Sequence, residues 1–359
     1  MSTQMPGNTC GAEASVYPTR RGFLKQSAVL GAAGGVVQNS LGAADDKPAQ
    51  GGGGDIPRRP LGRTGLEVSA IGLGGYSLAD APSEAEAMRI VHGAIDAGVN
   101  FFDNAWEYHD GKSEEWMGKG LDGKRDKVVL MTKVCTHGRD KQVAMQQLEQ
   151  SLKRLKTDHL DLWQVHECVY WNDPEWHFAK GGVIEALDQA KKDGKVRFVG
   201  FTGHKDPGIH LKMLSHNYAF DAVQMPLNCF DATYRSFEKQ VLPEVNRRGM
   251  AALGMKSLMG GGPPIMEGHV SVEEALRYAM SLPVATTISG IDSEEVLKQN
   301  LAIARGFKKM TEAEMQALRE RCAAMAADGH LELYKSTKKF DGPIGRQTHG
   351  FPTPKELPL

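Results

Sequence analysis

The chain has 359 residues, 41% of them hydrophobic, with 43 basic and 44 acidic side chains and a formal net charge of −1. A charge this balanced gives no electrostatic reason to expect nucleic acid as a partner, because phosphate binding needs a concentrated basic surface. Five cysteines (Cys10, Cys135, Cys168, Cys229, Cys322) are scattered without C-x-x-C pairing, so they read as free thiols and no metal or iron–sulfur site is expected.

The first element is an address. Thr19-Arg20-Arg21-Gly22-Phe23-Leu24-Lys25 is followed by a mild apolar run to about Val37 and then by the small residues Gly42-Ala43-Ala44. The pattern resembles a twin-arginine export signal, which implies that residues 1–44 direct a folded protein through the Tat translocase to the periplasm. Export of an already folded protein agrees with unpaired cysteines, since folding in a reducing cytoplasm leaves thiols unlinked. Residues 45–57, with four consecutive glycines, read as a flexible linker that cannot bury enough surface to order itself. Beyond the first 45 residues no apolar run approaches the roughly 18 residues needed to span a bilayer, and no stable membrane span is expected.

From residue 58 short apolar runs alternate with longer amphipathic stretches. Arg59–Val68 reads as a small hairpin around Arg63-Thr64-Gly65-Leu66. Eight apolar runs follow: Ala70–Leu73, Val99–Phe102, Val128–Met131, Leu160–Val165, Val196–Val199, Phe220–Val223, Met250–Leu253 and Val284–Ile288. Helical patterns lie between them, as in Ala85–Ala97, Val143–Leu155 and Val183–Lys192, where Val183, Ile184, Leu187 and Ala190 share one face. Gly98, Gly194 and Gly249 each precede a run, where a left-handed residue stops a helix. Uninterrupted strand–helix alternation requires parallel strands, because each helix carries the chain back across the sheet. Eight units in one domain predict a (β/α)₈ TIM barrel over residues 58–328, preceded by the hairpin and completed by an extra C-terminal helix at Glu312–Ala327. Residues 329–359 read as a tail whose Lys335, Lys338, Lys339 and Arg346 either close over the pocket or are solvated.

Gly118-Lys119-Gly120-Leu121-Asp122-Gly123 satisfies G-x-G-x-x-G, but a phosphate loop needs a strand before it and a helix after it. Here a helical pattern precedes and a strand follows, so the motif is rejected.

The ends of the second, third and fourth runs carry Asp103, Lys133 and His166, with Tyr108 five residues beyond Asp103. In a barrel these positions gather at the C-terminal mouth, where such enzymes do their chemistry. A lysine there is costly to desolvate unless it is paired, and Asp103 is the available counter-ion.

The segment Gly98-Val-Asn-Phe-Phe-Asp-Asn-Ala-Trp-Glu-Tyr-His-Asp-Gly-Lys-Ser-Glu-Glu and the opening Arg59-Pro-Leu-Gly-Arg-Thr-Gly-Leu-Glu-Val-Ser resemble the aldo-keto reductase superfamily, with a likeness running from about Arg59 to Phe307. The resemblance implies a nicotinamide-dependent oxidoreductase that interconverts a carbonyl and an alcohol, with Asp103, Tyr108, Lys133 and His166 as a catalytic tetrad. In that reading Tyr108 is the general acid, Lys133 lowers its pKa, Asp103 holds the lysine and His166 orients the carbonyl. Cofactor contacts are expected at Thr202 and Gly203 after the fifth run, at Gln224, at Met255, Lys256, Ser257 and Leu258, and at Gly290, Asp292 and Asn300. Thr202-Gly203 departs from the Ser-Asn pair usual there, and Met255 stands where many members stack a tyrosine on the nicotinamide. Lys256 is positioned to meet pyrophosphate. The acidic Asp292, Glu294 and Glu295 would repel a 2′-phosphate, so the expectation leans to NAD over NADP. Trp106, Tyr170, Trp171 and Trp176 are expected to line a pocket for a small-molecule carbonyl or carbohydrate.

An exported reductase would find no pool of free nicotinamide nucleotide. One alternative is therefore a closed-cycle enzyme that carries a tightly bound NAD(P) and modifies a sugar without net redox change. Another is a non-catalytic, cofactor-sensing regulatory subunit.

Overall fold

A two-stranded antiparallel hairpin of β1 (Arg58–Pro60) and β2 (Glu67–Ser69) leads into the barrel, with Arg59 opposite Val68. The computed structural model describes residues 54–135, 140–259 and 263–342. The export-signal reading of residues 1–44, most of the linker, and the tail beyond Gly342 with Arg346 lie outside the described residues.

Eight parallel strands close on themselves: β3 (Ile71–Gly74), β4 (Phe101–Asp103), β5 (Val129–Val134), β6 (Leu160–Val165), β7 (Val196–Thr202), β8 (Ala222–Pro226), β9 (Ala251–Met255) and β10 (Thr286–Gly290), the last pairing back onto β3. This is the expected (β/α)₈ barrel. Several strands run further than the apolar runs did. β5 continues through Thr132 and Lys133, and β9 through Gly254 and Met255, because the ladder extends into the mouth, where polar side chains replace aliphatic ones.

Two apolar layers hold the fold. Inside the barrel, Phe101, Met131, Leu162, Ala251, Leu253 and Ile288 pack with Leu61 and Val68 of the hairpin, all buried, so the hairpin stoppers the N-terminal end. Outside, the helices press their apolar faces on the sheet. In α1 (Glu84–Asp96) these are Ala87, Ile90, Val91 and Ala94, and the helix starts where the Ser83 hydroxyl accepts from the Glu86 N–H. The helix α2 (Lys112–Gly120) contains the glycines of the rejected phosphate motif. Their role is close packing: a Cβ on Gly118 would come within 2.3 Å of the Arg154 carbonyl in α3 (Lys141–Leu155), and one on Gly120 within 2.7 Å of Val91. The outer ring continues with α4 (Asp173–Phe178), α5 (Val183–Lys192), α6 (Pro207–Ser215), α7 (Val272–Ser281) and α8 (Glu294–Arg305). All four apolar positions read on the 183–192 stretch are buried.

After α9 (Glu312–Ala326) the chain makes one more short turn, α10 (Leu333–Ser336), in which Tyr334 and Lys335 are buried. Of the two alternatives for Lys335, solvation is ruled out. No described helix is long and apolar enough to cross a membrane.

Candidate active site

The parallel register brings the strand ends to one face. Gly74 lies opposite Asp103, Lys133 opposite Gln164 and Thr202 opposite Gln224. Lys133, 1% exposed, donates to the Asp103 carboxylate at 2.5 Å, the Asn104 carbonyl at 2.7 Å and the Tyr108 hydroxyl at 3.2 Å. These three acceptors account for its three N–H donors, which is how a buried ammonium avoids an uncompensated desolvation cost. Tyr108 opens a 3₁₀ turn, Tyr108–Gly111, in which His109 and Asp110 have positive φ (51° and 55°). Such backbone costs energy and persists only where its surroundings hold it. Here the Tyr76 ring stands edge-on to Tyr108 at 5.3 Å, and His109 Nε2 lies 3.1 Å from the Tyr76 carbonyl.

The phenol departs from the sequence expectation. Burial, together with the Asp103, Glu107 and Glu167 carboxylates, pushes Tyr108 well above the ordinary tyrosine range. The pull of the Lys133 ammonium, which Asp103 already neutralises, is outweighed by desolvation and three nearby carboxylates. The phenol is thereby kept protonated, the state required of a proton donor.

His166 follows β6 with its ring edge-on to Tyr108, centroids 5.7 Å apart. Its Nδ1 bonds to the Glu107 carboxylate. Burial works against that carboxylate's charge, but the His166 contact overcomes it and holds Glu107 below the usual range. The next residue, Glu167, has φ +57° and is pushed up to about 7, chiefly by burial and also by Glu107 and Asp341, against the pull of His166 and Lys256. Glu107, His166 and Glu167 each bring one ligand-type atom within 4.8 Å of the others. Glu107, Glu167 and Tyr76 were not among the sequence candidates.

The expected cofactor residues line the adjoining arc. Thr202 ends β7, and Gln224 sits within β8, both 1% exposed. Gly203 is held close to the backbone: a Cβ there would meet the Cys168 carbonyl at 2.4 Å. Gly290 ends β10 where a Cβ would meet the Ser77 hydroxyl at 2.4 Å. Met255 and Leu258 are half-buried and Ser257 is buried. Asn300 is buried and donates to Ser289 at 3.0 Å. The side-chain oxygens of Gln224 and Asn300 are buried with no hydrogen-bond partner among the described residues, the condition of groups that await one. Asp292 is half-buried, and Glu294 pairs with Arg89 at 2.5 Å, so the acidic start of α8 is partly neutralised from α1.

Lys256, at φ +55°, is set over the rings of Tyr334 (5.1 Å) and Phe340 (5.3 Å). Burial pulls its pKa down and Glu167 pulls it back up, so its ammonium faces the acidic side of the mouth. The Trp106 assignment is corrected. Its indole N–H donates to Gln150 at 2.7 Å and Arg154 lies over its ring, which puts it against α3, outside the mouth. Trp171 is 56% exposed beside Gly208, and Trp176 is half-buried in α4. Tyr170 donates to Asp341 at 2.6 Å.

That last contact belongs to a buried clasp. Lys335 bonds Asp231 (2.7 Å), Glu332 (2.9 Å) and the Tyr234 carbonyl (2.9 Å), and Asn228 donates to the Tyr334 hydroxyl (3.0 Å). Lys205 pairs with Asp341 at 2.6 Å. His204 faces Tyr334 and Phe340, and its pKa falls well below the histidine range through burial and the neighbouring Lys256 and Lys205. Residues 332–341 thus bind the loops that follow β6, β7 and β8.

Residues 70–263 match the family model described as the Aldo/keto reductase family. An uncharacterized oxidoreductase of Bacillus subtilis is 26% identical over 303 residues, covering 73% of this chain and 95% of that protein. L-galactose dehydrogenase of Arabidopsis thaliana is 26% identical over 314 residues, 74% of this chain and 95% of its own length. Among solved structures, the holo form of an aldo-keto reductase from Bacillus halodurans superposes with a TM-score of 0.62 at 24% identity, covering 74% of this chain and 96% of that one.

Proposed function

Given that this chain belongs to the aldo/keto reductase family, and so carries out nicotinamide-dependent carbonyl–alcohol oxidoreduction, we propose that its substrate is a carbohydrate and that Tyr108 is its proton donor. The observation that carries the mechanism is the Lys133 ammonium divided among Asp103, Asn104 and Tyr108. Tyr108, kept protonated, gives its proton to the carbonyl oxygen of the substrate. The phenolate left behind is stabilised by the lysine 3.2 Å away, and Asp103 prevents that lysine from moving to a new partner. A nicotinamide dinucleotide supplies or accepts the hydride when bound. The unsatisfied oxygens of Gln224 and Asn300 fit the amide and amine donors of such a molecule, and Thr202 offers a hydroxyl opposite Gln224.

Two observations favour a sugar. Glu107, His166, Glu167 and Lys256 crowd the mouth with charged and polar groups, which suits hydroxyl-rich molecules better than apolar aldehydes. The similar plant protein is an L-galactose dehydrogenase. Asp292 and Glu295 favour a free ribose hydroxyl, hence NAD over NADP, which nucleotide titration with each form tests. Purified protein assayed against sugar lactones and keto sugars beside benzaldehydes tests the class. Higher turnover of the apolar aldehydes, or turnover retained by Tyr108→Phe, refutes it.

A second reading is favoured by the clasp of residues 332–341. A segment buried over the loops after β6, β7 and β8 slows exchange of anything beneath it, consistent with a cofactor that stays bound through a closed redox cycle. It also suits export by the twin-arginine route to the periplasm, since a resident nucleotide would travel inside the folded protein. Mass spectrometry of nucleotide released on denaturing the freshly purified protein tests residence, and fractionation of a chain with Arg20-Arg21 replaced by lysines tests export.

A further inference from the structure

Hydride transfer needs one proton, delivered at the carbonyl oxygen, and Tyr108 supplies it. Orienting the carbonyl accounts for His166 beside Tyr108 but not for its bond to the Glu107 carboxylate. Glu107 immediately precedes Tyr108, so one turn of backbone holds both groups. Its carboxylate accepts from His166 Nδ1–H, which leaves the imidazole lone pair on Nε2. The second Glu107 oxygen is buried with no hydrogen-bond partner among the described residues. The His166 ring meets Tyr108 at 76° and 5.7 Å, and the Glu107 and His166 side chains are only 13% and 8% exposed. An oriented base next to an oriented acid is the equipment for moving a proton from carbon.

We propose that His166, positioned by Glu107, is a general base that enolises 2-hydroxy ketones and aldehydes whose carbonyl is hydrogen-bonded to Tyr108. His166 Nε2 takes the proton from the carbon beside the carbonyl. The C–H electron pair becomes the new C=C bond, the carbonyl π pair moves to oxygen, and that oxygen takes the Tyr108 proton, giving an enediol. Lys133 stabilises the tyrosinate meanwhile. Reversal returns a proton to the same carbon, with exchange and retention, or to the former carbonyl carbon, with isomerisation. No oxidant or reductant is consumed. Glu107 acts as a positioning residue and His166 as the catalytic one. The inference rests on the reading that Tyr108 faces a sugar-class carbonyl.

A direct cation site among Glu107, His166 and Glu167 is the competing use of the same atoms. The Glu107–His166 hydrogen bond argues against it, since the imidazole nitrogen and the carboxylate already satisfy each other.

The test uses the full chain in deuterated water with dihydroxyacetone and D-fructose, following loss of the proton signal next to the carbonyl by NMR. Nicotinamide-dependent reduction of the same two compounds is measured in parallel. Wild type is expected to exchange the proton, and Glu107→Gln to lower exchange on the order of 10²-fold, with a much smaller loss in reduction. Glu107→Asp, which keeps the carboxylate, restores part of the exchange. Reduction without exchange overturns the proposal and spares the function reading. Absence of both for either compound overturns the two together. Exchange that disappears with EDTA and returns with added zinc or magnesium makes the triad a cation site and overturns the base. Should Glu107→Gln fail to fold, Glu107→Asp decides through its exchange-to-reduction ratio, which a merely structural role leaves unchanged.

Discussion

Replacing Lys335 by methionine probes the clasp, and its cost can be worked from the contacts. The ammonium is fully buried between Asp231 at 2.7 Å and Glu332 at 2.9 Å, and both carboxylates are themselves buried. Removing one partner of such a group costs about 3–5 kcal/mol, because the remaining charges stay buried and unpaired. Protonation of Glu332, whose carboxyl is already pushed up by burial and by Asp231, offsets part of this. The molecule has a cheaper response than unfolding the barrel. It releases residues 329–342, whose other anchors include the Lys205–Asp341 pair, the Tyr170–Asp341 bond, the Asn228–Tyr334 bond and the Arg235 bond to the Lys335 carbonyl. If cofactor release waits on this segment, a 3 kcal/mol loss of docking speeds release about 10²-fold, at 1.4 kcal/mol per factor of ten. Stopped-flow displacement of bound NADH measures the rate, and tryptic cleavage at Lys338 and Lys339 reports undocking. Cleavage without a change in release rate refutes control by the clasp. A collapse of the whole melting transition with no selective cleavage refutes local undocking.

Tyr108→Phe is expected to lose at least 10²-fold in turnover while nucleotide affinity stays within about twofold, because in the proposed mechanism the phenol moves a proton and holds no nucleotide; single-turnover kinetics and equilibrium titration separate the two. Lys133→Met leaves Asp103 buried and uncompensated, so it lowers stability by about 3–5 kcal/mol as well as activity, measured by urea denaturation; a neutral effect on stability refutes the burial argument. Glu167 titrates near 7 when folded and near 4.5 when unfolded, so it withdraws stability as pH rises between those values. Glu167→Gln is therefore expected to raise the melting temperature at pH 8 relative to wild type and to change it little at pH 4.5, with His166, Glu107, Lys256 and Asp341 as the neighbouring ionisable groups. An equal shift at both pH values refutes the titration.

The barrel was legible because each strand is a short apolar run and each helix has a single apolar face. Asp103, Lys133 and His166 stood out because ionisable residues at the ends of such runs have one place to go. Glu107 and Glu167 did not stand out, although each adjoins a residue that did. Nothing in sequence spacing shows that residues 59 positions apart share a proton; the shared mouth of β4 and β6 creates that contact. A carboxylate next to Tyr108 and another next to His166 were the available signal. The clasp was hidden for a related reason. Lys335 looks solvated until Asp231, over a hundred residues earlier, is brought to it. Trp106 misled because an aromatic on the mouth loop can turn either way, and Gln150 and Arg154 decide the direction.

The hairpin stopper has a kinetic meaning. With Leu61 and Val68 filling the floor of the barrel, nucleotide and substrate both enter by the mouth, and a nucleotide seated first is hemmed in by the substrate that follows. Traffic through one opening is a queue. Steady-state measurements should therefore show an obligatory order, with the nucleotide admitted first and discharged last, and inhibition by the substrate-derived product that added nucleotide does not relieve.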